Sequence, residues 1–411
     1  MHIDFQIALD YARRLSRPRQ VGTPQEREVA DEISKQLQQS GCSVETQDFQ
    51  FSTAFERFLV LEIFAGLVLV LAAILTLGLY QWLTLLLAGL LAFLILLIAP
   101  INRLVQKHSI RFAEHQSVSF WSGIIWQLGK RYSTTNIAAS WPQFPHERNL
   151  PQLYLVAHYD SKSQYLPLVV RIALFVLVIA GSLVFSILNL INAFLLPCTP
   201  ALYSIGIIVI VCATPLLFLD YGNDSTGAID NASGVGLVLH LAEIIAQKPV
   251  LMGKLGITVL ITSAEELAVK GSWAYLLENK NRLRRQAEGE GLHILNFDGI
   301  GVDGKLYLAG GSRQRADSSD AYLHYLVRHS AQEIGIPVGR FLFPGAMFDH
   351  IPFAEEGFDA VTVIGIGKDS LSVHTGKDLP EKLHVKGFDQ AGRLALRLIE
   401  KLSGERIIRS N

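Results

Sequence analysis

Cysteine is nearly absent. Cys42, Cys198 and Cys212 are the whole complement, too few and too scattered for a disulfide framework or a cysteine-rich zinc site. Cys198 and Cys212 stand in apolar surroundings, where a thiol packs as an inert small hydrophobe. The count permits a reducing compartment. A surplus of either charge is missing as well: 36 basic residues face 37 acidic ones, for a formal net charge of -1. That balance gives no electrostatic basis for binding nucleic acid or a strongly acidic partner. The opening Met1-His-Ile-Asp-Phe-Gln lacks the basic segment followed by an apolar one that marks a cleaved signal peptide. Membrane insertion is therefore expected from within the chain. Internal repeats and low-complexity linkers are not evident either.

Long hydrophobic runs, by contrast, are plentiful. Half of the 411 residues are apolar and the mean hydropathy is +0.31, with the excess concentrated in four stretches. Residues 58–80 are apolar apart from Glu62, and residues 82–100 carry no charge. Residues 171–196 and 201–219 repeat the arrangement. Each approaches or reaches the roughly 20 residues that a helix needs to cross about 30 Å of hydrocarbon. Their pairing predicts two membrane hairpins, at residues 58–100 and 166–219, turning at Tyr80-Gln81-Trp82 and between Pro197 and Pro200. Glu62, a few residues inside the first helix, is expected to reach the interface. Arg57, Arg103, Lys107, Arg111, Lys162 and Arg171 flank the hairpins, while the two turns carry no Lys or Arg. The positive-inside rule then sets the soluble part on the cytoplasmic face of the bilayer. Two hairpins cross an even number of times, so every soluble piece of this multi-pass protein is expected on that side.

The remaining residues, 1–57, 101–165 and 220–411, read as one discontinuous α/β domain with a mostly parallel or mixed central sheet flanked by helices. Residues 4–40 have helical apolar spacing and residues 42–51 alternate as a strand. Short apolar runs at 153–157, 255–262, 292–296, 306–309 and 360–366 are of the kind buried in a largely parallel sheet. Helical patterns occupy 234–247, 270–279, 320–335 and 385–402.

Five short motifs carry the chemistry. His158-Tyr-Asp160 follows the run at 153–157 directly, at the carboxyl end of a strand, where open α/β sheets hold their ligands. A metal-bound imidazole commonly needs a carboxylate to fix its tautomer, so Asp160 is either that partner of His158 or a ligand itself. Asp230 opens Asp-Asn-Ala-Ser-Gly just before a helix; it is a helix cap or, in so small-sided a loop, a carboxylate able to bridge two ions. Glu265-Glu266 follows another strand. Adjacent side chains there point apart, so that one can bind a metal while the other holds the attacking water. Asp298 ends the run at 292–296 and its Asn296-Phe-Asp298 motif. His374 opens His-Thr-Gly-Lys-Asp378 after the last strand. Of the competing His108, His293, His350 and His384, only Asp349-His350 reads as a secondary site feature.

In order and context these motifs resemble the M28 family of zinc peptidases, which includes bacterial and ER-membrane aminopeptidases. His-x-Asp, Asp, Glu-Glu, Asp and His are all present, and the likeness spans most of the soluble chain. The resemblance implies a zinc-exopeptidase type of fold and two zinc ions acting on a peptide substrate. Carried over by position, His158, Asp230 and Asp298 would bind one zinc, and Asp230, Glu266 and His374 the other. Glu265 would be the general base, with Asp160 orienting His158. The departure lies in spacing. Asp160 and Asp230 stand 70 positions apart, farther than soluble members place them; without residues 166–219 the separation is 16. The alternatives are a glutaminyl cyclase, whose family shares a His-Tyr-Asp-Ser-Lys segment like that at 158–162, and a non-enzymatic receptor or scaffold on a peptidase fold.

Overall fold

The computed structural model describes residues 3–112, 120–141, 150–251, 253–310, 322–342, 346–405 and 407. The chain begins with α1 (Gln6–Leu15), α2 (Pro24–Gln39) and β1 (Ser43–Ser52), then the apolar α3 (Ala54–Thr76) and α4 (Gln81–His108). After β2 (Ile110–Phe112), α5 (Phe120–Gln127), β3 (Arg131–Ser140) and β4 (Gln152–His158), a short β5 (Ser163–Gln164) precedes α6 (Leu168–Phe194) and α7 (Thr199–Ala213). The rest alternates strand and helix: β6 (Tyr221–Gly222), α8 (Ser233–Ala246), β7 (Gly256–Thr262), α9 (Lys270–Ala287), β8 (Leu292–Asp298) and β9 (Gly304–Gly310). It closes with α10 (Tyr322–Glu333), β10 (Val338–Arg340), α11 (His350–Glu355), β11 (Asp359–Gly367) and α12 (Val385–Ser403).

Nine strands form one mixed sheet in the order β10-β9-β11-β8-β4-β7-β3-β1-β2. Its centre, β8-β4-β7, is parallel and every residue of those three strands is buried, as their unbroken apolar runs require. Parallel character stops there on one side, because β3 runs antiparallel to β7 and β1 antiparallel to β3. The sheet is thus more evenly mixed than the apolar runs suggest. Buried side chains of α1, α2, α8, α10 and α12 share one core with the sheet, and those of α9 and α11 belong to a second. The segment expected as helical over residues 4–40 is two helices. Pro18 lies in the break, and α2 restarts with Thr23 as its cap, accepting from Glu26 N at 3.3 Å, and Pro24 in its first turn. The helical pattern at 320–335 appears as α10; residues 320 and 321 lie outside the described residues.

Among the described residues, five helical stretches are long and apolar enough to cross a membrane. One of them, Ala228–Ala246, is 94% buried within the domain; its apolar side chains are core. The other four, Ala54–Thr76, Gln81–His108, Leu168–Phe194 and Thr199–Phe218, are at most 28% buried and pack on one another around Val70, Leu91, Phe185 and Val209. Close approach is achieved with small residues: a Cβ at Gly206 would stand 2.5 Å from Ile74 Cδ1. The two tips meet, with Gln81 Nε2 donating to Ala193 O at 2.9 Å and Trp82 edge-on to Phe194. Glu62 is buried between helices, accepting from Asn102 Nδ2 at 3.1 Å.

The foot of α4 is locked to the α/β domain. Arg103 and Lys107 pair with Glu355 and Glu356 at 3.0 and 2.9 Å, and fully buried Lys270 donates to Ser109 Oγ at 2.6 Å. Burial pulls the Lys270 ammonium down from 10.5 to about 8, against the opposing charge of Glu56. The unfolded chain keeps this proton to about 10.5 and the folded chain only to about 8, so the ammonium penalises the fold below that window. Stability therefore rises with pH across it, by about 3 kcal/mol. Lys270→Met abolishes this dependence. Its melting temperature relative to wild type is expected to fall as pH is raised from about 7.5 to about 9.5. A constant difference would contradict the assignment.

Candidate active site

β4 ends on His158 and β8 on Asp298, while β7 ends at Thr262, three residues before Glu265. Because these neighbours are parallel, their carboxyl ends share one sheet edge. Asp230 reaches the same place from the loop before α8, and His374 from the loop after β11. His158 Nε2 lies 3.1 Å from Asp230 Oδ1 and 3.8 Å from both Asp298 Oδ2 and Glu265 Oε2. His374 Nε2 lies 3.0 Å from Asp230 Oδ2 and 3.0 Å from Glu266 Oε2. Asp230 therefore turns one carboxylate oxygen to each histidine.

Two groups of donor atoms converge here, His158–Glu265–Asp298 and Asp230–Glu266–His374. Zinc bonds of about 2.0–2.2 Å at tetrahedral angles set ligand atoms about 3.4 Å apart, and the separations of 3.0–3.8 Å bracket that value. His158 Nε2 and Glu266 Oε1 are buried without a hydrogen-bond partner, as atoms meant for a cation are. The donor set fits zinc.

The electrostatics agree. Burial opposes ionisation of Asp230 and Glu266, yet His158 and His374 beside Asp230, and His374 with Lys162 beside Glu266, outweigh it and hold both carboxyls below their usual range. Glu265 and Asp298 go the other way. Burial first, then neighbouring carboxylates, pushes each well above its usual range. Burial lowers the imidazoles, but Glu265 raises His158 strongly and Glu266 lifts His374 to about 9. The enclosed acids thus gather positive charge around themselves.

Surrounding loops fix these groups through the backbone. Asp160 takes the N–H of Glu265 on one oxygen (3.1 Å) and that of Glu266 on the other (3.2 Å), and faces His158 Nδ1 at 3.5 Å. Asp378 accepts from Ile229 N at 2.8 Å and Asp230 N at 3.2 Å. Asn231 donates to Phe297 O at 2.8 Å while its carbonyl takes Gly234 N and Gly299 N, tying the Asp230 loop to the Asp298 strand. At Gly227, φ is +56° and a Cβ would meet Ser161 and the carbonyl of Asp230 at 2.6 Å, so only glycine fits.

Arg19 is fully buried, and its guanidinium donates to the carbonyls of Tyr159, Thr226 and Gly227. It clamps the His158 loop to the Asp230 loop. A lysine keeps the charge but not the fork, so Arg19→Lys is expected to cost about 3 kcal/mol of stability with carbonyls left unpaired. A thermal midpoint equal to wild type's would contradict that role. Lys162 also enters the site, its Nζ 3.1 Å from Glu266 Oε2. Arg19 has no local sequence signal, because its partners are distant main-chain groups; Asp378 closes the His374–Asp378 motif, but nothing local there encodes its support of the Asp230 main chain. The Lys162 contact was foreshadowed only by the segment His158–Lys162.

Other acids and histidines stand back from the edge. Asp349 is buried behind β7, accepting from Thr262 Oγ1 at 2.6 Å and from Ser272. Burial lowers His350 to about 4, leaving it a neutral partner of Thr362. His293 pairs with Asp359 at 2.8 Å, and His108 and His384 lie toward the surface.

Solved structures of similar shape include aminopeptidases and glutaminyl cyclases. A zinc aminopeptidase from Bacillus subtilis is similar at TM-score 0.54 with 15% identity, covering 97% of this chain and 95% of that one. An aminopeptidase from Aneurinibacillus sp. strain AM-1 gives 0.55 and 14%, over 100% and 97%. A glutaminyl cyclase from Bacteroides thetaiotaomicron gives 0.53 and 14%, over 97% and 98%. At such identities the likeness shows the fold alone, and no curated protein matches the chain. The model of Peptidase family M28 matches residues 136–399, which include every residue from His158 to His374 described above. The chain belongs to peptidase family M28.

Proposed function

We propose that the protein is a membrane-anchored, zinc-dependent aminopeptidase with a two-zinc site. The observation that carries this reading is Asp230, whose two oxygens approach two different histidines at 3.1 and 3.0 Å. On this reading His158, Asp230 and Asp298 hold one zinc, and Asp230, Glu266 and His374 the other. Bound zinc supplies Lewis-acid polarisation of the scissile carbonyl and a more acidic water.

The protein's own groups do the rest. Glu265 takes a proton from the attacking water and delivers it to the leaving amine nitrogen, as a buried carboxyl of raised pKa is suited to do. Glu265 Oε2 and Asp298 Oδ2 are equally far from His158 Nε2, so the division between base and ligand rests on the family's order. Asp160 is the positioning residue, holding the Glu265-Glu266 main chain and facing His158.

The four exposed apolar helices support the anchoring. A surface that apolar is not left to water in a soluble protein, and the two pairs make hairpins at 58–100 and 166–219. The peptidase domain is then 1–57, 101–165 and 220–411, on the cytoplasmic face by the distribution of Arg57, Arg103, Lys107, Arg111, Lys162 and Arg171.

Glutaminyl cyclisation is the second reading, favoured by one contact. Lys162 neutralises Glu266, a ligand of the second position, which suits a site holding a single zinc. A peptide with amino-terminal glutamine separates the two by mass. Loss of the whole residue supports the aminopeptidase; loss of ammonia with the chain intact refutes it.

A further inference from the structure

We propose that the substrates are amino termini of polypeptides anchored in the same bilayer, cut within a few residues of the membrane surface. This deepens the aminopeptidase reading and rests on it. The second hairpin does more than tether the domain; its root is part of the site. Gln164 N donates to the carbonyl of His374 at 2.8 Å, so the main chain of β5 is bonded directly to that of a proposed zinc ligand. Helix α6 begins at Leu168, four residues on, and four residues span at most about 14 Å. Arg171 stands in the first turn of that helix.

β5 and β6 pair as a two-stranded ribbon, Ser163 with Gly222 and Gln164 with Tyr221, closing the base of the second hairpin. Between this ribbon and the His374 loop lies a cavity of about 190 Å³, lined by Ser163, Gln164, Tyr165, Pro167, Asp224 and Thr375. One wall is thus the residue after a zinc ligand, and the other runs out to the residue before α6. Tyr165 and Phe218 stand at the hairpin root 80% and 73% exposed, aromatic rings of the kind that settle at headgroup depth. On this proposal a peptide running out from the metal centre passes this cavity toward the root of the second hairpin. A lipid-anchored or membrane-inserted chain meets that geometry with its first few residues, and confinement to the same plane raises its effective concentration.

Tether length tests this. Full-length protein is reconstituted in vesicles with peptides of one amino-terminal sequence, carrying a dialkyl anchor about 4 or about 20 residues downstream, or none. Glu265→Gln serves as the blank. The proposal predicts release of the first residue from the short tether at a rate within about threefold of the long tether. Release from the long tether and the unanchored peptide, with the short tether resistant, overturns it while leaving the aminopeptidase intact. Release from none of the three overturns the aminopeptidase reading, and this inference with it.

Discussion

Glu265→Gln is expected to lower kcat by about three to four orders of magnitude while zinc content and melting temperature stay at wild-type values. The glutamine keeps the volume and one acceptor oxygen, so the enclosed edge beside His158 repacks little. What it loses is the site for a proton. Glu265 stands 3.8 Å from His158 Nε2, and burial, first, then the charges of Glu266, Asp298 and Asp349 favour its protonated form. A carboxyl in that environment takes up a proton readily and, with a cation and a leaving amine present, gives it away. The variant also resolves the equal distances of Glu265 and Asp298 from His158. If Glu265 were a ligand, the amide would cost zinc as well as rate. Loss of both together would reassign it.

Asp230→Ala carries the second large effect: zinc content is expected to fall from about two per chain to well below one. Asp298→Ala removes a donor near one histidine only, and about one zinc is expected to stay. The asymmetry follows from geometry. Asp230 Oδ1 faces His158 and Oδ2 faces His374, so truncation removes a donor from beside both histidines at once. Activity should be undetectable in Asp230→Ala, and added zinc should no longer raise the melting temperature, since only a ligand bound to the native state stabilises it. Retention of about one zinc by Asp230→Ala would contradict a shared carboxylate. The control is Asp378→Asn, which alters the support of the Asp230 main chain but removes no donor, and it is expected to keep its zinc.

Much of the architecture is legible in the residues because the central strands are buried on both faces. The runs at 153–157, 255–262 and 292–296 fall within β4, β7 and β8 or meet their ends, and polar residues at the carboxyl ends mark the edge where chemistry collects. β3 (Arg131–Ser140) escaped notice for the opposite reason. Arg-Tyr-Ser-Thr-Thr-Asn-Ile-Ala-Ala-Ser is mostly polar and only partly buried, and its place is set by pairing with β1 and β7 rather than by an apolar run. The seven residues His158, Asp160, Asp230, Glu265, Glu266, Asp298 and His374 were nameable because each sits in a short motif at a strand end or helix start. Arg19 lies in no such motif, and the roles of Asn231, Asp378 and Lys162 were not legible although each lies in a quoted segment; Arg19, Asn231 and Asp378 hold the loops in place. Their hydrogen bonds run to main-chain atoms of segments distant in the chain or to a neighbour's carboxylate, and no local spacing encodes such contacts.

The most direct test is a zinc titration of chelator-stripped, detergent-purified protein, following release of the first residue from unblocked peptides and from their N-acetylated twins. The account predicts no cleavage before zinc is added, cleavage that rises with bound zinc, and none of the acetylated peptides at any point. Zinc-independent cleavage, or equal cleavage of blocked and unblocked peptides, would contradict it.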